Sequence, residues 1–293
     1  MTTYLAQFYA AYPGCDFTAL QSARYRLEAC DHCGCIYQNP APSPEFLQEF
    51  YHRGLYGPDA PPYPSPEIEH SEHIVRELTM VVHFLTNQNG RRPAVLDYGT
   101  GSGRWAFLAA ASGVETHACD LSTHAFARLE SAGIGCHLID ALPAARFDYI
   151  NTDQVMEHVL APADIVRRCA NALRPGGILK IGVPYDPNLR AKLEQPDWLA
   201  PKHSPHSLNG VAPVEHLNHF EPRSLDLLVQ SSGLQKMTVT RWSLATSGQA
   251  RTPQTLRQRF GTWLRAKLGE TYRAYPAGTQ TCFYHKPVPS HAR

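Results

Sequence analysis

One stretch constrains this chain more than any other: Val95-Leu96-Asp97-Tyr98-Gly99-Thr100-Gly101-Ser102-Gly103. A short apolar run ends in an acid and then in glycines at alternate positions, with a helical segment, Trp105 to Ala111, directly behind. Glycine lets the backbone turn sharply and lets a ligand approach the main chain. The stretch therefore reads as a strand, a ligand-binding turn and a helix. A second strand, Glu115 to Cys119, runs into another acid, Asp120, which stands 23 residues after Asp97. That spacing suits a carboxylate gripping ribose hydroxyls.

The surrounding pattern alternates between helix and strand. Glu69 to Leu85 places Ile74, Leu78, Val81, Val82 and Leu85 at helical spacing, and Phe147 to Ile150 reads as a buried strand. Pro162 to Leu173 predicts a helix, with Pro162 at its first position, Asp164 in its first turn and an apolar stripe of Ile165, Val166, Cys169 and Leu173. Arg174-Pro175-Gly176-Gly177 should end it in a reversal before the strand Ile178 to Val183. A further helix is expected from Glu221-Pro222 to Ser232, then strand-like runs at Leu234 to Leu244 and Gln280 to His285. Such alternation implies an α/β fold with a doubly wound, mostly parallel sheet, its ligands beyond the carboxyl ends of the strands. The expected organisation is a cysteine-containing module over 1–45 and a Pro-rich linker or cap over 46–71. The main domain would cover 72–288, with insertions at 185–214 and 245–277.

A nicotinamide-binding turn would need glycine at position 104, where this chain has Arg104. Asp97 at the mouth of the turn also disfavours a pyrophosphate and favours a cationic ligand. The chain resembles the class I S-adenosylmethionine-dependent methyltransferases, a Rossmann-like family. The likeness rests on VLDYGTGSG, the acid of ACDLS, FDYINTDQVMEHV, LRPGGILKIGVP and HLNHFEPRSLDLLVQSSGL, in the family's order. It implies that Asp97, Gly99, Thr100 and Gly101 hold the methionine part, and that Asp120 and Leu121 meet the ribose side. It further implies that Asp140 reaches the adenine and that Asp153 and Gln154 line the methyl end.

Methyl transfer from a sulfonium needs alignment and exclusion of water, and a base only when the acceptor must lose a proton. Candidates for that base are His158, His216 and His219, because histidine titrates near neutrality. The alternative role for each is a hydrogen bond to loop backbone. A small or medium acceptor is expected, with oxygen favoured over nitrogen and carbon as the methylated atom. The competing readings are a catalytically silent methyltransferase-like binding module and an RNA methyltransferase.

Cys30-Asp31-His32-Cys33-Gly34 resembles half of a zinc ribbon, with the other half reduced to Cys15. A structural zinc needs four ligands. Cys15, Cys30 and Cys33 would supply three, and Cys35 or His32 the fourth; the alternative is a ribbon that has lost its metal. Thr255 to Leu268 is amphipathic and basic, a lid or a membrane-surface helix. The formal net charge of +1, from 27 basic and 26 acidic residues, gives no signal for nucleic acid as main partner. No apolar run suits a transmembrane segment and the N-terminus lacks a basic secretory start, so a cytoplasmic location is expected.

Overall fold

The computed structural model describes residues 1–56, 71–202, 204–237 and 278–289. The basic segment Thr255 to Leu268, the insertion 245–277, the linker residues 57–70 and the run from 238 to Leu244 lie outside the described residues.

Seven strands make the main sheet. These are β3 (Ala94–Tyr98), β4 (Glu115–Asp120), β5 (Gly135–Leu138), β6 (Phe147–Asp153), β7 (Leu173–Pro184), β9 (Gln235–Lys236) and β10 (Thr279–His285), in spatial order β5-β4-β3-β6-β7-β10-β9. The run from β5 to β7 is parallel, and β10 lies antiparallel to β7 and to β9. From β3 the chain steps outward through β4 to β5, then returns to the other side of β3 as β6. That reversal opens a crevice at the carboxyl ends of β3 and β6, the place where doubly wound sheets bind ligands.

Both faces are covered, as the near-continuous apolar character of the strands requires. On one face, Ile74, Leu78, Val81 and Leu85 of α3 (Glu72–Asn89) and Trp105 of α4 (Arg104–Ala111) pack with Val95, Tyr149 and Ile178. On the other, Val166 and Cys169 of α6 (Pro162–Ala172) and Leu225 and Val229 of α8 (Pro222–Gln230) pack with Leu96, Ile150, Leu179 and Ile181. Alternate residues of one strand thus serve opposite cores. A smaller cluster seats Leu129 of α5 (Phe126–Ser131) against Ala106 and Ala118.

Arg174-Pro175-Gly176-Gly177 behaves differently from expectation. Helix α6 does end at Ala172, but the four residues stay within β7 as a bulge, across which the register shifts between Phe147 and Tyr149. Hydrogen bonds to the chain just past β10 hold it there: Gly176 N–H donates to the Lys286 carbonyl and Lys286 N–H to the Gly177 carbonyl, both at 2.8 Å. A bulge absorbs extra residues without leaving the ladder.

The N-terminal residues do not stand apart. Strands β1 (Leu27–Ala29) and β2 (Ile36–Gln38) form a hairpin, and β2 pairs antiparallel with β8 (Asn218–His219) from the main domain. Helix α1 (Thr2–Phe8) and the segment after α2 (Pro44–Glu49), Phe50–Leu55, pack Tyr4, Leu5, Tyr9 and Phe50 against Ala212 and Val214. A short helix, α7 (Leu189–Glu194), lies within the expected 185–214 insertion. Leu189 packs there with Ile36, Leu208 and Val211.

Candidate active site

The glycine turn sits where β3 delivers it. Gly99 and Gly101 both have positive φ, 75° and 52°. A Cβ on Gly99 would come within 2.5 Å of Val155, whereas among the described residues one on Gly101 would meet only the Tyr56 hydroxyl, at 4.0 Å. One glycine is needed for packing; the other leaves an open approach to the backbone. The turn is tied to β4, since the N–H groups of Gly99 and Thr100 donate to the Cys119 carbonyl.

Asp97 is buried beneath the turn, 3% exposed. Its two carboxylate oxygens accept from Asn151 Nδ2 (2.7 Å) and from Thr100 Oγ1 (2.8 Å). Burial pushes its carboxyl up to about 6, against the lowering effect of those two bonds and of Lys180. Asp97 therefore braces Thr100 and sets the charge under the turn. Asp120 is half-buried and accepts from Gly101 N–H (2.8 Å) and Ser122 N–H (2.9 Å). A carboxylate has about four acceptor positions, so it keeps capacity for hydroxyls.

Beside Asp120 the surface turns apolar. Leu121 is 66% exposed and Leu138, paired in register with Asp120, is 55% exposed. Such large exposed side chains flanking an acid fit an aromatic base. Asp140 follows in a short 3-10 turn and pairs with Arg168 at 2.6 Å. Asp153 and Gln154 close β6. Gln154 is exposed in the left-handed region (φ 56°), pinned by its N–H to the Gly182 carbonyl at 2.9 Å. Strain of this kind concentrates at functional sites. Arg104 donates to Ser71, the residue before α3, at 2.9 and 3.0 Å.

The histidine candidates divide. His158 lies in the 3-10 turn Met156–His158 rather than on a helix, because α6 begins only at Pro162. Its ring is 4.9 Å from that of His216. His158 Nδ1 donates to the Glu215 carbonyl (2.8 Å), and His216 Nδ1 to the Asn209 carbonyl. Burial lowers both, His216 to about 4, so both are neutral at physiological pH. Between the elements lies Glu157, 1% exposed, raised well above the usual carboxyl range by burial. His219 is buried in β8 and stacks on Tyr185, with centroids 6.3 Å apart.

The four cysteines proposed as zinc ligands are not gathered. Cys15 faces Gly54 and belongs to the aromatic cluster around Tyr9 and Phe50. Cys30 to Cys35 make a tight knuckle, with Cys30 N–H donating to the Cys35 carbonyl at 2.8 Å. Cys35 itself packs against the core on the α6 face. Apolar packing won both outer sulfurs, a common fate for free cysteine.

Several contributors carry no sequence signal. Lys180, 0% exposed in the middle of β7, pairs with Glu77 of α3 at 2.9 Å and lies 3.7 Å from Asp153. Glu77 also accepts from the Tyr149 hydroxyl (2.7 Å) and Trp105 Nε1 (3.3 Å). From the N-terminal part, Tyr56 stacks on His124 at 4.8 Å beside the glycine turn, and Tyr51 packs edge-on against His158 at 6.3 Å.

Comparison with known proteins agrees with this geometry. Residues 70–239 match the model of a family described as a methyltransferase domain. The chain belongs to that family. Its central domain is a class I S-adenosylmethionine-dependent methyltransferase domain, and the sheet order and glycine turn are those of the fold. Curated relatives named ubiquinone biosynthesis O-methyltransferase occur in Burkholderia multivorans, 34% identical over 93 residues, and in Idiomarina loihiensis, 35% over 94 residues. These matches cover 28% of this chain and 39–40% of those proteins. Among solved structures, a Burkholderia thailandensis 1,6-didemethyltoxoflavin-N1-methyltransferase with bound S-adenosylhomocysteine covers 91% of this chain and 97% of its own, with 16% identity and TM-score 0.49. A Mesorhizobium loti S-adenosylmethionine-dependent methyltransferase covers 75% and 100%, with 18% identity and TM-score 0.47. No helix among the described residues is long and apolar enough to cross a membrane.

Proposed function

We propose that this protein transfers a methyl group from S-adenosylmethionine to a small or medium-sized molecule, with a hydroxyl oxygen favoured over nitrogen and carbon. The observation that carries the reading is the open glycine turn at the carboxyl edge, with Asp120 hydrogen-bonded to Gly101 N–H beside exposed Leu121 and Leu138. In this reading Gly99, Thr100 and Gly101 receive the amino-acid end, and Asp153 and Gln154 line the approach to the methyl. Asp120 takes the ribose hydroxyls, and Leu121, Leu138 and Asp140 bound the adenine. S-adenosylmethionine brings an already activated methyl, so the chain's work is alignment and exclusion of water.

Tyr51 and Tyr56 close the crevice from the N-terminal side. Neutral His158 and His216 face the acceptor side, where an imidazole lone pair can take the proton of a hydroxyl as its oxygen is methylated. His219, bonded into the small sheet, positions this wall. The names of the curated relatives favour oxygen as the acceptor atom.

The test is incubation of the full chain with methyl-labelled S-adenosylmethionine and a panel of phenols, aliphatic alcohols, amines and carbon acids, with products identified by mass spectrometry. Labelled methyl ethers are the expected products. Labelled amines or C-methyl products would overturn the choice of oxygen, and no transfer despite cofactor binding would favour a binding module.

A further inference from the structure

We propose that Glu157, His158 and His216 form a binding site for one divalent transition-metal cation. One ligand atom from each of the three lies within 4.8 Å of the others. Ligands held tetrahedrally on one ion at bond lengths of about 2.0–2.2 Å are about 3.3–3.6 Å apart. Closure therefore asks for at most about 1.5 Å of side-chain adjustment.

The tautomers are already set. A backbone carbonyl can only accept, so His158 Nδ1 and His216 Nδ1 must carry their protons toward the carbonyls of Glu215 and Asn209. Each Nε2 is left with its lone pair. That is the arrangement metal-binding histidines use, the second ring nitrogen being held by an outer hydrogen bond.

The third ligand is a buried carboxyl group without a hydrogen-bond partner among the described residues. Glu157 is 1% exposed and neither carboxylate oxygen has a hydrogen bond. The closest approach of a histidine, His158 Nε2 to Glu157 Oε1, is 3.6 Å, too long for one. An uncompensated buried carboxylate is costly, and a cation would compensate it. Two imidazoles and one carboxylate, with the remaining positions open, suit first-row transition metals rather than magnesium or calcium, which want oxygen ligands.

The ligands are also well anchored. Leu217 N–H donates to the Glu157 carbonyl at 2.7 Å, and His216 N–H to the Ala212 carbonyl at 2.9 Å. The first bond joins the turn after β6 to the segment before β8, and the second braces that segment internally. Val155, which packs on Gly99 of the cofactor turn, lies two residues before Glu157. With the cation bound, the two Nε2 lone pairs are no longer free to take a hydroxyl proton, and the cation would offer its open positions to the acceptor oxygen instead; that role rests on the function proposed above, and binding of the metal itself does not.

The experiment is titration of chelator-treated full-length protein with Co(II), read by visible absorption, followed by competition with Zn(II). Wild type, Glu157→Gln, His216→Ala and the double variant Cys30→Ser/Cys33→Ser are compared, with circular dichroism to confirm folding. One equivalent of cobalt with a nitrogen and oxygen ligand spectrum is expected. Affinity should fall about tenfold or more in Glu157→Gln and His216→Ala, since each loses a direct ligand, and should stay unchanged in the cysteine variant. Absence of stoichiometric uptake, uptake indifferent to His216→Ala and Glu157→Gln, or a thiolate charge-transfer band that vanishes in the cysteine variant would each overturn the site. S-adenosylmethionine affinity, measured separately on metal-free protein, distinguishes this failure from failure of the methyltransferase reading.

Discussion

Replacing Lys180 with methionine is the sharpest test of how the sheet is held beneath the cofactor turn. Methionine keeps most of the lysine stem's volume, so little cavity is created. What disappears is the ammonium 2.9 Å from Glu77 and 3.7 Å from Asp153. Glu77, 1% exposed, keeps the neutral Tyr149 hydroxyl and Trp105 indole as donors but loses this cation. Breaking one side of a buried pair costs about 3–5 kcal/mol, because the other charge stays buried. At about 2–4 °C per kcal/mol for a domain of this size, the melting temperature should drop by roughly 6–20 °C. Adding Glu77→Gln should restore most of the loss, since the amide oxygen still accepts from Tyr149 and Trp105 while the stranded charge is gone. Urea denaturation and thermal melts followed by circular dichroism give all four corners of the cycle. A Lys180→Met variant within about 1 kcal/mol of wild type, or a double variant worse than the sum of the singles, would refute the reasoning.

Three further outcomes follow from Asp97 and from the N-terminal docking. Burial raises the Asp97 carboxyl to about 6, above its value in the unfolded chain, so the native state binds the extra proton and stability declines as pH rises from about 4 to 6. A cationic ligand needs the ionised form, so affinity for S-adenosylmethionine should weaken up to tenfold per pH unit below about 6; Asp97→Asn should flatten that dependence in calorimetric titrations from pH 5 to 8. Tyr9→Phe removes a 2.7 Å hydrogen bond to half-buried Glu215 and should cost about 1.5–3 kcal/mol in urea denaturation, with no change reading against a firmly docked N-terminal cap.

The parts of the fold that depend on local pattern could be read from the chain. Strand, glycine turn and helix came from one stretch around Asp97, and α3 and α6 from apolar residues at helical spacing. The acids at strand ends were legible because parallel sheets put every carboxyl end on one edge. Lys180 was not, since a lone lysine in Leu179-Lys180-Ile181 gives no sign of its partner Glu77 on a distant helix. Nor was the pairing of β2 with β8, which joins Ile36 to His219 across most of the chain and rests on two short strands with little pattern of their own. Pro175 and the following glycines spelled a reversal, but hydrogen bonds to Lys286, just past β10, kept them in the sheet as a bulge. The cysteine spacing spelled a metal ribbon, but Cys15 packs into the aromatic cluster around Tyr9 and Phe50 while Cys30, Cys33 and Cys35 stay in their knuckle. The Glu157–His158–His216 cluster was half visible. Its histidines stood out in the sequence, and their convergence on one buried carboxylate is a tertiary fact.

Calorimetric titration of the full-length protein with S-adenosylmethionine, beside NADH and an Asp120→Asn variant, tests the central claim most directly. The account predicts micromolar binding of S-adenosylmethionine, at least several-fold weaker in Asp120→Asn, and none of NADH. A folded wild-type protein that ignores S-adenosylmethionine, or binds NADH in its place, would contradict the assignment of the glycine turn and of every residue built around it.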